Sequence, residues 1–416
     1  MGKKVIVIGG GIIGYCTAYY LAGSGHDVII LERSRADDSP SYHNAGMVVP
    51  SHFIPLASPG IIKKGLVWML RTDSPFYIKP RLDASLIRWC WQFYRHANSR
   101  HVRRAAPLLA EMNQLSRCLF QEITDGLDAR VNFKSAGLLM LYATHKGEEE
   151  EKETAKVAAS LGIEAKNLNN SELNELDSNI SYKAKGAVYY PGDAFLDPAA
   201  FMKSLEINLK SRGVEIMKGM AVRDFIYENR KIHSVLAGDR FFEADEFVLA
   251  AGIDSADLAK KAGLGIPMQG GKGYSVTIDN PGKMPGICSI LTEARVAVTP
   301  MGNKLRLAGT MEFAGKDVSV NRKRVEGYLK SVAQYIPDIS YGILKDKTVW
   351  AGLRPCSPDG LPYIGRFNRY PNLIAATGHA MMGLSLGPVT GLIVTDLVNN
   401  KMPSIPVRRL HPDRFH

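Results

Sequence analysis

Residues 4–32, KVIVIGGGIIGYCTAYYLAGSGHDVIILE, narrow the possible folds more than any other stretch. The apolar run 5–8 has the character of a parallel strand buried on both faces, and it runs directly into Gly9-x-Gly11-x-x-Gly14. Apolar residues at helical spacing follow, and Gly23 and Gly25 stand where a helix C-cap wants them. Residues 28–31 read as a second buried strand, closed by Glu32. Gly9 permits a tight turn, Gly11 lets the backbone approach a pyrophosphate, and Gly14 lets the helix pack close to the strand. The helix N-terminus then offers unpaired N–H groups and the positive end of its dipole. Glu32, eighteen residues after Gly14, is spaced to accept hydrogen bonds from a ribose diol. Together these predict a dinucleotide site. The competing reading, an ordinary βαβ turn with glycines kept for packing, leaves Glu32 without a role. Arg33 raises the question of a 2′-phosphate, but the acid before it would repel one.

A chain of 416 residues buries a large core and usually divides into two or three domains. It has no apolar run long enough for a transmembrane helix. Its N-terminus is not expected to be a signal peptide, because the fold needs the glycine fingerprint. Five cysteines, odd in number and without C-x-x-C, are expected to be reduced core thiols in the cytoplasm. No metal site is expected. The net charge of +11 is uneven: residues 60–104 hold ten Lys/Arg against Asp73 and Asp83, with Trp68, Trp89 and Trp91 among them. That composition suits a segment lying on an anionic membrane surface, a nucleic-acid contact, or a solvated face over core tryptophans.

Farther along, Asn44-Ala45-Gly46 is small and turn-prone, suited to a loop pressed against a flat ligand. Residues 60–130 read as mostly helical, 133–144 as a strand, and 148–161 as a helix whose acidic start, 148–153, is exposed. Asp197-Pro198 opens a helix with proline at its first position. Residues 214–217 form a strand, 222–227 and 231–237 an antiparallel pair, and 247–251 a buried strand entering Gly252. Short strands dominate 266–346, interrupted by a helix at 321–335. Residues 350–365 read as a rigid, turn-laden loop carrying Arg354, and 372–376 as a strand leading to a glycine turn and an apolar helix. The expected class is α/β plus α+β. A Rossmann-type nucleotide domain is assembled from 1–62, 194–268 and 350–416, with an inserted β-rich substrate domain of 63–193 and 269–349.

The strings SYHNAGM, AVRDF, VLAAG, GLRPCSPDGLPYIG and TGHAMMGLSLGPVTG, in that order over nearly the whole length, resemble the D-amino-acid oxidase superfamily of FAD-dependent amine oxidoreductases. Within it the chain is most similar to bacterial D-amino-acid dehydrogenases of the small-subunit type, sharing Pro59-Gly60 and KGYS at 272–275, with glycine and sarcosine oxidases as neighbours. The resemblance implies FAD contacts at Gly9, Gly11, Gly14, Glu32, Arg33, Ser41, Ala45, Gly46 and Met47, at Val222 and Gly252, and at Gly378, His379, Met382, Gly383, Leu384 and Ser385. It implies that Arg354 grips the substrate carboxylate, a bidentate task suited to guanidinium. Where glycine oxidases place a tyrosine, this chain has Ala297, so Tyr274 is the substitute candidate, and His379 is a candidate acid–base group.

The implied reaction is oxidative deamination of a D-amino acid, with hydride passing from Cα to flavin N5 and electrons leaving to a quinone or other acceptor. Activity is expected to rise toward alkaline pH as the substrate amine loses its proton. Residues 60–104 would meet the inner face of the cell membrane, and no nucleic-acid partner is expected. Two alternatives keep the fold: a D-proline, hydroxy-D-proline, glycine or sarcosine substrate, or a flavin domain acting on modified tRNA. A non-catalytic scaffold would leave Arg354 and the flavin-facing loop without purpose.

Overall fold

The computed structural model describes residues 2–69, 74–344 and 347–416. Arg71 and Asp73 of the basic stretch, and residues 345–346 within the second β-rich segment, lie outside the described residues. A six-stranded sheet runs in the order Tyr363–Arg366, Leu373–Thr377, Glu246–Leu249, Lys4–Ile8, Asp27–Glu32 and Glu215–Lys218. All its pairings are parallel except that of the first two strands. Val5 to Val7 are fully buried, as strands covered on both faces require. The helices Ile12–Gly23 and Gly387–Val398 cross on one side of this sheet with backbones in contact: a Cβ at Gly391 would lie 2.5 Å from the Cys16 carbonyl. An antiparallel meander, Val222–Glu228, Lys231–Ala237 and Arg240–Glu243, packs against the other side.

The second sheet has nine strands. Eight run in the order Val349–Cys356, Gln269–Asp279, Lys304–Phe313, Val296–Met301, Cys288–Leu291, Leu138–Tyr142, Gly186–Tyr190 and Lys166–Asn169, and Phe76–Ile78 adds beside Lys304–Phe313. One face carries the helix Arg322–Tyr335, whose Val325, Tyr328 and Leu329 pack on Tyr274, Val276 and Leu307. The other faces the loop 41–47.

Two expectations need correcting. Arg354 is not in a turn-laden loop; it sits on strand Val349–Cys356, which hydrogen-bonds within the nine-stranded sheet rather than with the nucleotide domain expected to hold 350–356. Residues 349–356 pair along their length with Gln269–Asp279, and Pro355 is tolerated because this strand is at the sheet edge, where one side lacks a ladder to satisfy. The acidic run is not wholly exposed either: Glu151 is buried, and Glu150 pairs with Lys64 at 2.8 Å.

Candidate active site

The glycine turn is shaped for a ligand. Gly9 adopts φ +113°, and a Cβ there would strike the Ala250 carbonyl at 2.5 Å. A Cβ on Gly14 would lie 1.9 Å from Gly9 O, so helix and turn touch only because both residues are bare. Gly11 meets nothing but Ser41 Oγ, which accepts from Ile12 N at 2.9 Å. The helix start otherwise lacks a side-chain cap and has no acid in its first turn, leaving donors and dipole for an anion. Glu32 Oε2 accepts from Gly10 N at 2.6 Å and Oε1 from Ser34 N at 2.7 Å. Each oxygen keeps a second lone pair for a hydroxyl. Val222 begins a strand close by, and Met220 N donates to Glu32 O at 2.8 Å. Gly252, at φ +55°, has open space where a Cβ would stand. The side chain of Arg33 is turned away to Asp254 and is 67% exposed. This bare cradle and its acid fit a dinucleotide.

Two further segments converge on the cradle. Gly46, at φ +74°, would drive a Cβ into the Leu196 carbonyl at 2.4 Å; Met47–Val48 then pairs with Ala194–Phe195. Ala45 is half-buried beside it. From the far end of the chain, Gly378 takes φ +80° against the Tyr363 ring, and the turn Ala380–Met382 leads through Gly383 and Leu384 to the helix Gly387–Val398. Ser385 Oγ accepts from Val49 N at 3.0 Å and donates to Asn113 Oδ1 at 2.8 Å, tying the two segments together. Gly387 would carry a Cβ 3.1 Å from Cys16 Sγ and Ile12, so the late turn lies beside the first helix.

Arg354 is brought to this junction by a β-bridge between Cys356, two residues on, and His379. Its Nη1 donates to the Thr310 carbonyl at 2.8 Å, and no carboxylate among the described residues pairs with it. Burial lowers its pKa from the ordinary value. A desolvated cation with only a neutral acceptor is an anion site in waiting.

Tyr274 does not join it. Arg354 is opposite Gly271 and Tyr274 opposite Ala351, so strand alternation puts the two side chains on opposite faces. The phenol donates to Glu312 Oε1 at 2.6 Å and accepts from Asn321 N at 3.0 Å, under the helix Arg322–Tyr335. Burial and Glu312 raise its pKa beyond the usual tyrosine range. His379 also departs from the expected acid–base role: burial lowers its pKa to about 3, and Nε2 bonds to Thr390 Oγ1 at 2.9 Å. The ring is neutral and fixes the turn.

Several residues on the Arg354 face were missed. Trp350 folds over Gly352, whose Cβ would come within 1.9 Å of it, and stacks on His43 at 4.6 Å. Burial and Arg306 lower the His43 pKa. Arg306 itself is buried and donates to Tyr42 O at 3.0 Å, Asn44 O at 2.9 Å and Thr277 Oγ1 at 3.0 Å, clamping the 42–44 loop to the sheet. A charge at an inward position of an apolar strand, LRLAG, was the available signal.

Comparison with known proteins follows the same lines. The DAO family, described as FAD dependent oxidoreductase, matches residues 4–397. The chain is 31% identical over 411 residues to a D-amino acid dehydrogenase of Granulibacter bethesdensis, covering 97% of each. It is 30% identical over 399 residues to a D-amino acid dehydrogenase of Helicobacter pylori, covering 95% of each. Its fold is similar to the crystal structure of glycine oxidase from Geobacillus kaustophilus, with TM-score 0.79, 23% identity, and 99% and 98% of the two chains covered. With the bare glycine cradle, the converging turns and this full-length match, the chain belongs to the DAO family of FAD-dependent oxidoreductases.

Proposed function

We propose that this enzyme oxidises D-amino acids to 2-oxo acids and ammonia. The observation that carries the reading is Arg354, a half-buried guanidinium beside the late glycine turn with no acid partner among the described residues. Similarity to the two D-amino acid dehydrogenases supports the substrate class. Bound FAD supplies the hydride acceptor. Arg354 holds the carboxylate by a forked pair of N–H donors, which fixes which face of Cα is presented. With Tyr274 and His379 both committed elsewhere, the substrate amine reaches its neutral form in bulk solvent. Anaerobic mixing of the holoenzyme with paired D- and L-amino acids, D-proline, sarcosine and glycine tests this. D-amino acids are expected to bleach the flavin fastest; equal bleaching by both enantiomers overturns the substrate assignment.

The electron acceptor in this reading is a membrane quinone. Helix Ala84–His96 directs Ile87, Trp91 and Tyr94 to solvent along one stripe, with Arg88 and Arg95 exposed beside them and Arg95 over the Trp91 ring at 4.7 Å. Leu66, Val67 and Lys63 extend the same character on helix Ile61–Met69. Trp89 is core instead, its Nε1 donating to Cys356 O at 2.9 Å. No helix among the described residues is long and apolar enough to cross a membrane, so contact would be peripheral. Co-sedimentation with anionic vesicles is expected for the native chain and lost in Ile87→Ser/Trp91→Ser; unchanged binding of that variant contradicts this surface.

A further inference from the structure

Strand Lys304–Phe313 holds one residue too many opposite Gly273. Tyr274 pairs with Gly309 and Lys272 with Glu312, so Thr310 and Met311 together face one residue of the neighbouring strand. This is a β-bulge, and bulges with a left-handed first residue ordinarily place glycine there. Here Thr310 takes φ +67°, a conformation that strains a β-branched side chain. Thr310 is 6% exposed, and its Oγ1 has no hydrogen-bond partner among the described residues, so the side chain gives nothing back. The backbone does. The Thr310 carbonyl accepts from Arg354 Nη1 at 2.8 Å, while the next amide, Met311 N, donates to Pro75 O at 2.7 Å in the parallel pairing with Phe76–Ile78.

Gly273, across from the bulge, is the complementary half. A Cβ built there would lie 2.1 Å from Arg354 Nη1, 2.2 Å from Nη2 and 2.3 Å from Cζ. The guanidinium therefore lies over a bare stretch of one strand and is pinned by a displaced carbonyl of the next. A neutral acceptor fixes the plane without cancelling the charge, and it uses one of five N–H donors. An acid in its place would occupy the fork that a carboxylate needs.

We propose that Gly273 and the Thr310 bulge form a positioning slot that holds the Arg354 fork in register for the substrate carboxylate. This rests on the reading of Arg354 as carboxylate anchor. Four variant holoenzymes test it: Gly273→Ala, Thr310→Gly, Arg354→Met and the Gly273→Ala/Arg354→Met double. Propionate, a carboxylate without an amine to oxidise, serves as probe through its perturbation of the flavin absorbance, alongside KM, kcat and Tm. Gly273→Ala is expected to weaken propionate about tenfold, the loss of about one charge-assisted hydrogen bond, and to raise KM more than it lowers kcat. Thr310→Gly keeps the left-handed backbone and its carbonyl, so propionate affinity is retained and Tm rises. The Gly273→Ala/Arg354→Met double variant is expected to recover the Tm that Gly273→Ala loses, since the guanidinium is what the new methyl strikes. Unchanged propionate affinity in Gly273→Ala, a fall in Tm or affinity in Thr310→Gly, or additive Tm losses in the double variant overturns the slot. Wild-type propionate binding by Arg354→Met overturns the anchor itself, a separate result.

Discussion

Asp193 shows how far burial alone can move a side chain from its solution behaviour. Its carboxyl is fully buried, accepts from Ser51 N at 3.0 Å and Ser51 Oγ at 2.5 Å, and has its pKa pushed up to about 7 by desolvation. The folded chain therefore holds a proton there that the unfolded chain releases near pH 4. The stability this contributes is present in acid and is lost as pH rises through 7. His52 and His379 act in the opposite sense. Burial lowers them to about 4 and about 3, so the unfolded state takes up protons first as pH falls below 6.5. Asp193→Asn is thus expected to raise Tm relative to wild type far more at pH 8 than at pH 4, where the carboxyl is protonated in the folded chain and partly so in the unfolded one; an equal shift at both would contradict a carboxyl held neutral by the fold. Burial holds both imidazoles well below neutrality, so the alkaline rise expected of the activity is assigned to the substrate amine. His379→Asn should leave that limb in place while changing Tm.

Among the elements, the pair of helices Ile12–Gly23 and Gly387–Val398 does the most to assemble the candidate site, because each starts at one of its two glycine turns. Their contact depends on Gly391, where a Cβ would meet Cys16 O at 2.5 Å and Cys16 C at 2.6 Å. Gly391→Ala is expected to cost roughly 1–3 kcal/mol in urea unfolding and to loosen FAD. A variant of native stability and FAD affinity would mean the helices adjust freely. The first of these helices was legible because its glycines, apolar spacing and terminal acid all serve one local job. The strand carrying Arg354 was not: prolines and glycines in GLRPCSPDG look like a loop until the edge position of the strand explains why Pro355 is tolerated. Tyr274 failed as a candidate for a related reason. KGYS names the right strand, but only the register with Val349–Cys356 reveals that Gly273, not Tyr274, shares the face of Arg354.

Over the whole molecule, the two sheets divide the work. The six-stranded sheet brings together the opening turn and the late one, residues far apart in sequence, by placing Lys4–Ile8 beside Glu246–Leu249 and then Leu373–Thr377. The nine-stranded sheet presents Arg354, Trp350 and Arg306 to the 41–47 loop from one face and hides Tyr274 and Glu312 under a helix on the other. This long-range arrangement was expected in outline, since βα units flanking a β-rich stretch imply an inserted domain. Which side chains face the cleft follows from the bulge at Thr310 and the bridge at His379, features with no local signature. The account then turns on whether Arg354 selects substrates by their carboxylate. Anaerobic flavin reduction by a D-amino acid and by its amide, in the native holoenzyme and in Arg354→Met, measures this directly. The native enzyme is predicted to reduce with the acid and scarcely with the amide. The variant should lose about 10²- to 10³-fold in rate over concentration for the acid and little for the amide, as removing one member of a buried ion pair requires. A variant that keeps the native preference for the acid would contradict the account.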